Sequence, residues 1–163
     1  MNAMKTISAV LAGLVLSGTA MAGEARTSAE AATGGLRRDG DAQATAHFEG
    51  KAGFAQTASH SGRVSSARGV AVGVDKQGLT LSVSNAVAPK FGPAMAVNFN
   101  LSIGRDGDVT KSRSLAVAKG PLFKKVTAGG EVRNGRRDDA TTSYAGGKAP
   151  LGTVRVVSKS NSD

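Results

Sequence analysis

His47 and His60 are the two histidines of this 163-residue chain. A histidine becomes a general base or a metal ligand when carboxylates or further ligands stand within reach. Neither has a carboxylate at ligand spacing. The stretch "ASHSG" at 58–62 sets serines directly beside His60. A serine–histidine pair that does chemistry is assembled from separate segments, not from neighbours in sequence. No catalytic or metal role is therefore expected for either ring.

The carboxylates are the next candidates. "RDGD" occurs at 38–41 and again at 105–108, and "RRDD" at 136–139. Aspartates around a glycine resemble the opening of a calcium loop, but that loop needs further oxygen ligands and a closing glutamate, and none follows. Asp and Gly are also what tight turns require, so these are read as turns. There is no cysteine, which excludes disulfides, thiolate metal sites and cysteine nucleophiles. No glycine-rich phosphate loop runs into a helix. Asn100-Leu101-Ser102 matches a glycosylation sequon by chance within an alternating segment. No catalytic, cofactor-binding or metal-ligating set is expected, and no cofactor is implied; the chain reads as a non-enzyme.

One constellation keeps some weight. Lys111, Arg113, Lys119, Lys124, Lys125, Arg133, Arg136 and Arg137 stand against one acid, Glu131, and the whole chain carries a net charge of +9. Clustered cations are the electrostatic footprint of a polyanion binder. Phe123 and Tyr144 are the only aromatics nearby, so the stacking platforms of single-strand binders are missing. An anionic polymer (nucleic acid or acidic polysaccharide) or an anionic envelope surface is the partner such a run would take. A plain solvated basic face is the alternative.

These residues need elements to position them. Residues 1–22 read as a bacterial-style secretory signal peptide. Lys5 gives the positive start, Ile7 to Val15 the apolar run, and Ala20-Met21-Ala22 the small-residue cleavage site. The run is far shorter than the roughly 20 residues that span a bilayer. No other apolar run approaches that length, so no transmembrane segment is expected after cleavage, and the destination is periplasmic or extracellular. Residues 23–64 are dominated by Ala, Gly, Ser, Thr and charges, and read as a flexible polar arm. Within them, Phe48 and Phe54 are spaced as if on one face of a strand.

From Gly69 the pattern is strict alternation, the mark of a half-buried strand. Val70, Val72 and Val74 share one parity; after a turn at Asp75–Gly78, Leu79, Leu81 and Val83 share another. The turn sets Val74 against Leu79, Val72 against Leu81 and Val70 against Val83. "NAVAPKFGP" is read as a connection, because Pro89 and Pro93 donate nothing to a ladder. Met95, Val97, Phe99, Leu101 and Ile103 then share a face, and residues 109–119 return. A two-residue turn at Asp106-Gly107 would pair Ile103 with Thr110. A longer loop or bulge would pair Ile103 with Val109, and would send Lys111 and Arg113 toward the apolar face, tolerable on an edge strand. The residues alone do not choose. Residues 122–135 hold one short strand ending at Asn134-Gly135, 136–150 read as loop, and 151–160 as a last strand with a tail over 159–163.

The expected fold is all-β, with antiparallel hairpins forming a small sheet or sandwich (residues 65–158) behind the flexible N-terminal arm. The Val and Leu face is expected to build the core, covered by later strands or by another copy of the chain. The opposite face, from Ala71 and Gly73 to Asn98, Asn100 and Ser102, is small and amide-bearing, of the kind that stacks closely. The expected function is that of a secreted surface, matrix or fibre-type assembly subunit, associating through sheet edges or faces. The alternative is a monomeric module binding anionic polymers through 111–137.

Overall fold

The computed structural model describes residues 23–34, 39–121, 123–133 and 140–162. These form ten strands and no helix: β1 (Glu24–Ala32), β2 (Asp41–Glu49), β3 (Ala52–His60), β4 (Val64–Val74), β5 (Gly78–Pro89), β6 (Ala94–Gly104), β7 (Val109–Lys119), β8 (Lys125–Arg133), β9 (Ala140–Lys148) and β10 (Thr153–Ser162). All pairings are antiparallel. A four-stranded sheet runs β2-β1-β8-β9, and a six-stranded sheet runs β10-β7-β6-β5-β4-β3. The two stack as a sandwich, so the all-β architecture expected from the sequence holds.

Turn chemistry explains the registers. Asp75 caps its own turn, its Oδ1 accepting from the amides of Gln77 at 2.7 Å and Gly78 at 3.2 Å. Gly78 takes a positive φ, which glycine adopts without penalty. The result is the expected pairing of Val74 with Leu79, Val72 with Leu81 and Val70 with Val83. The β6–β7 turn settles the open register. Its loop runs from Gly104 to Asp108, closed by a Gly104 N–H to Asp108 carbonyl bond of 2.8 Å, with Gly107 at φ 95°. Ile103 therefore pairs with Val109 and Val97 with Leu115. Lys111 and Arg113 do join the apolar face, although β7 is not an edge strand: β10 lies outside it.

The core is the larger correction. The Val and Leu face does not build it. The buried side chains are the small ones: Ala71, Thr80, Ser82, Ser84, Ala86, Ala88, Ala94, Ala96, Asn98, Asn100, Ser102, Ser112, Ser114, Ala116 and Ala118. They face Ala25, Thr27, Ala29, Ala31, Val126, Ala128 and Val132 of the other sheet. The physical reason is a match of sizes. The complementary surface is itself built mostly of alanine, threonine and glycine, with Val126 and Val132, and small faces let two sheets approach more closely than the ~10 Å of ordinary sheet packing. Gly130 shows how tight this is. A Cβ there would collide with the amides of Asn98 and Asn100.

The supposed arm supplies that surface. Its described residues form three strands, β1, β2 and β3, not a flexible segment, because alternate positions of β1 (Ala25, Thr27, Ala29, Ala31) bury completely or nearly so. Phe48 and Phe54 do not share a strand; they lie on β2 and β3, either side of the turn at Gly50. Three smaller readings also change. β5 continues to Pro89, which pairs with Val64 at the strand end, where a missing donor is tolerated. Residues 140–148, read as loop, form β9 against β8. The supposed tail is held in β10 to Ser162 by pairing with β7. Asn134-Gly135 lies outside the described residues, as do residues 1–22.

The interior divides lengthwise. One half is an alanine cluster with Val126. The other is a hydrogen-bonded lattice of hydroxyls and amides. Ser82 donates to Asn100 Oδ1 at 2.7 Å, and Asn100 Nδ2 donates to Ser112 Oγ at 3.2 Å and to the Thr142 carbonyl. Asn98 Nδ2 donates to Ser84 Oγ at 3.1 Å, and Thr27 Oγ1 bonds both Ser82 and Ser84 across the gap between the sheets. Groups paired in this way bury at tolerable cost, while Asn98 Oδ1, Ser102 Oγ and Ser114 Oγ are buried on the same face without a hydrogen-bond partner. Asn100 of the sequon is among them, fully buried.

Candidate functional site

The basic run from Lys111 to Arg137 is not one surface. Lys111, Arg113 and Lys119 project from β7 onto the outer face of the six-stranded sheet. Lys125 and Arg133 lie on the outer face of the four-stranded sheet, on the opposite side of the sandwich. There Lys125 pairs with Glu30, and Arg133 with Glu131 and Glu24. Lys124 is buried, its Nζ donating to the carbonyls of Lys90 at 3.3 Å and Gly120 at 3.4 Å. It closes the end of the sandwich and presents no charge to a partner. Arg136 and Arg137 lie outside the described residues. His47 sits on the four-stranded sheet and His60 at the end of β3. Among the described residues no group of three or more His, Asp or Glu side chains could hold a metal ion.

The structure assembles a different constellation, on the outer face of the six-stranded sheet. The pairing registers place successive side chains in rows across it. One row reads Phe54, Val72, Leu81, Leu101, Lys111, Asn161. The next reads Gln56, Val70, Val83, Phe99, Arg113, Lys159, and the next Ala58, Arg68, Asn85, Val97, Leu115, Val157. A fourth reads His60, Ser66, Val87, Met95, Val117, Arg155. The middle of the face is a continuous apolar field, with Met95, Val97, Phe99 and Ile103 each about two-fifths exposed. One flank, β7 and β10, carries Lys111, Arg113, Lys119, Arg155 and Lys159. Arg68 is the one cation on the other side. None of the six strands contains an Asp or Glu.

The outer face of the four-stranded sheet is ordinary by contrast. It carries Glu24, Glu30, Asp41, Glu49 and Glu131 among Arg26, Lys125, Arg133 and Lys148. Arg26 bridges Glu24 and Glu131. Tyr144 lies across from Gly129 and covers it, the way an aromatic side chain shields a bare stretch of strand.

The chain matches no family model, no curated protein and no solved structure.

The six-stranded sheet has two open edges. β3 and β10 each have a neighbour on one side only. All nine residues of β3 are exposed, and the strand carries no proline, no lysine and no carboxylate. Edge strands of natural sheets are usually blunted by such residues. β10, the other edge, carries Arg155 and Lys159. The alternation of β3 was hidden in the sequence by its small residues, and β10 was legible only in part. The value of both as edges emerges from strand order, which composition does not encode.

Proposed function

We propose that this chain is a secreted, non-enzymatic β-sandwich protein acting as a surface, matrix or fibre-type assembly subunit. The observation that carries the reading is the unprotected edge of β3. The six strands alternate in direction, so β3 and β10, at opposite edges, run opposite ways. A second copy displaced sideways sets its β10 antiparallel to the first copy's β3, continuing the ladder with no change of hand or face. The lengths suit: nine residues in β3 and ten in β10. Charge favours this head-to-tail pairing over β10 against β10, which would set the Arg155 and Lys159 pairs of two copies close together. Head-to-tail contacts that do not close make filaments. The alternative, a polyanion footprint along 111–137, draws no support from an arrangement that divides those cations between opposite faces and the interior.

The test is light scattering coupled to size exclusion over a concentration series, with electron microscopy of the largest species. The expected result is growth into linear particles, abolished by Gln56→Lys with Ala58→Lys on β3. A concentration-independent monomer, or a species that stops at two, would overturn open-ended assembly.

A further inference from the structure

We infer that the outer face of the six-stranded sheet is a docking surface for an anionic lipid bilayer. Six strands about 4.8 Å apart, up to twelve residues long at about 3.4 Å each, make a face roughly 24 by 41 Å. Across its middle runs a continuous apolar field rimmed by cations and amides, and such a field marks an interaction surface. The bulky residues stay outside because the interior admits only small ones. The face is therefore maintained by the fold and is not an unfinished core.

Charge selects the occupant. Another copy of the same face would bury Arg113, Lys159 and Arg155 with no carboxylate to receive them, since none of the six strands carries one. Buried cations without partners oppose association. A nucleic acid or acidic polysaccharide would satisfy the cations of β7 and β10 but leave Val97, Phe99, Leu101 and Ile103 in water. An anionic bilayer answers both halves. Its headgroups meet the cationic flank and its interfacial acyl region meets the apolar field, the division that interfacial membrane binders use. Arg113 and Lys159 lie directly opposite each other across β7 and β10. Side by side, like charges disfavour that pairing, and a phosphate headgroup between them relieves it. The sheet's backbone groups are paired within the ladder along the middle of the face, so it rests at the interface without exposing polar backbone to hydrocarbon. The edges β3 and β10 stay available for the assembly proposed above, from which this inference is independent.

The test is co-sedimentation of the full chain with large vesicles of pure phosphatidylcholine and of phosphatidylcholine with three parts in ten phosphatidylglycerol. The wild-type chain is expected to partition about tenfold more strongly onto the anionic vesicles, with the excess lost in high salt. Arg113→Glu with Lys159→Glu should remove that excess. Phe99→Ser should weaken binding severalfold at unchanged salt dependence. These three side chains point away from the core, and circular dichroism checks that the variants stay folded. The N-terminal apolar run is common to all of them, so the differences report the sheet face. Equal binding to both vesicle types, binding unaffected by the charge reversal, or binding to heparin or DNA with none to vesicles would each overturn the proposal. The comparison of vesicle types uses the wild-type chain alone and stands even if a variant fails to fold.

Discussion

β6 presents two faces that differ in the opposite sense from most strands. Inward go Ala94, Ala96, Asn98, Asn100 and Ser102, all at most 1 % exposed. Outward go Met95, Val97, Phe99, Leu101 and Ile103. In most half-buried sheets the bulky apolar set lies inside. Here fit decides in place of bulk. The opposing sheet offers Ala29, Ala128 and Gly130, and only small partners can reach it. The inner face holds the sandwich together, and the outer one carries the bulk that the interior does not admit.

The sharpest way to break this comparison is to exchange the roles. Ala96→Leu or Ala116→Leu adds bulk where no room exists, and should destabilise the fold by at least about 3 kcal/mol or prevent folding, as read by urea unfolding. A fully stable variant would mean the sheets are not closely stacked. Asn100→Ala comes next. It removes the acceptor of Ser82 and the donor to Ser112 and the Thr142 carbonyl, and should lower stability by about 2–3 kcal/mol in the same experiment. Lys124→Ala removes the Nζ donor to the Lys90 and Gly120 carbonyls at the end of the sandwich and should lower stability by about 1–2 kcal/mol. Tyr144→Ala bares Gly129 and should lower it by about 1 kcal/mol. Smallest of all, Val97→Thr on the outer face should change stability by no more than about 0.5 kcal/mol while weakening binding to anionic vesicles. A large loss from Val97→Thr would return the apolar face to the core and undo the comparison.

The sequence was informative wherever turn and alternation agree. The 69–85 hairpin is legible in full because Asp75, Gly78 and the Val and Leu positions all specify one register. The 94–119 hairpin was legible to within one residue, and the loop from Gly104 to Asp108 chose between the two registers. What alternation cannot convey is which face turns inward. It divides a strand into two sets of side chains and leaves their destination to the partner sheet. That partner was concealed in "EARTSAEAA", where Ala25, Thr27, Ala29 and Ala31 alternate with charged and polar residues. Alanine is too weakly apolar to register as a core signal, so the segment read as an arm. The cationic flank was half visible: Lys111 and Arg113 were among the basic residues singled out, but Arg155 and Lys159 join them only through the β7–β10 pairing.

An interior of hydroxyls, amides and methyl groups also has a thermal consequence. The heat-capacity increment of unfolding comes from newly wetted apolar surface, and newly wetted polar surface subtracts from it. Val97, Phe99 and Ile103 already meet solvent in the free folded chain, and the Ser82–Asn100–Ser112 lattice enters with the opposite sign. Calorimetry should therefore find an increment below the usual ~12–15 cal/mol/K per residue. A smaller increment flattens the dependence of stability on temperature. For the free chain, cold and warm conditions alike should leave the sandwich standing.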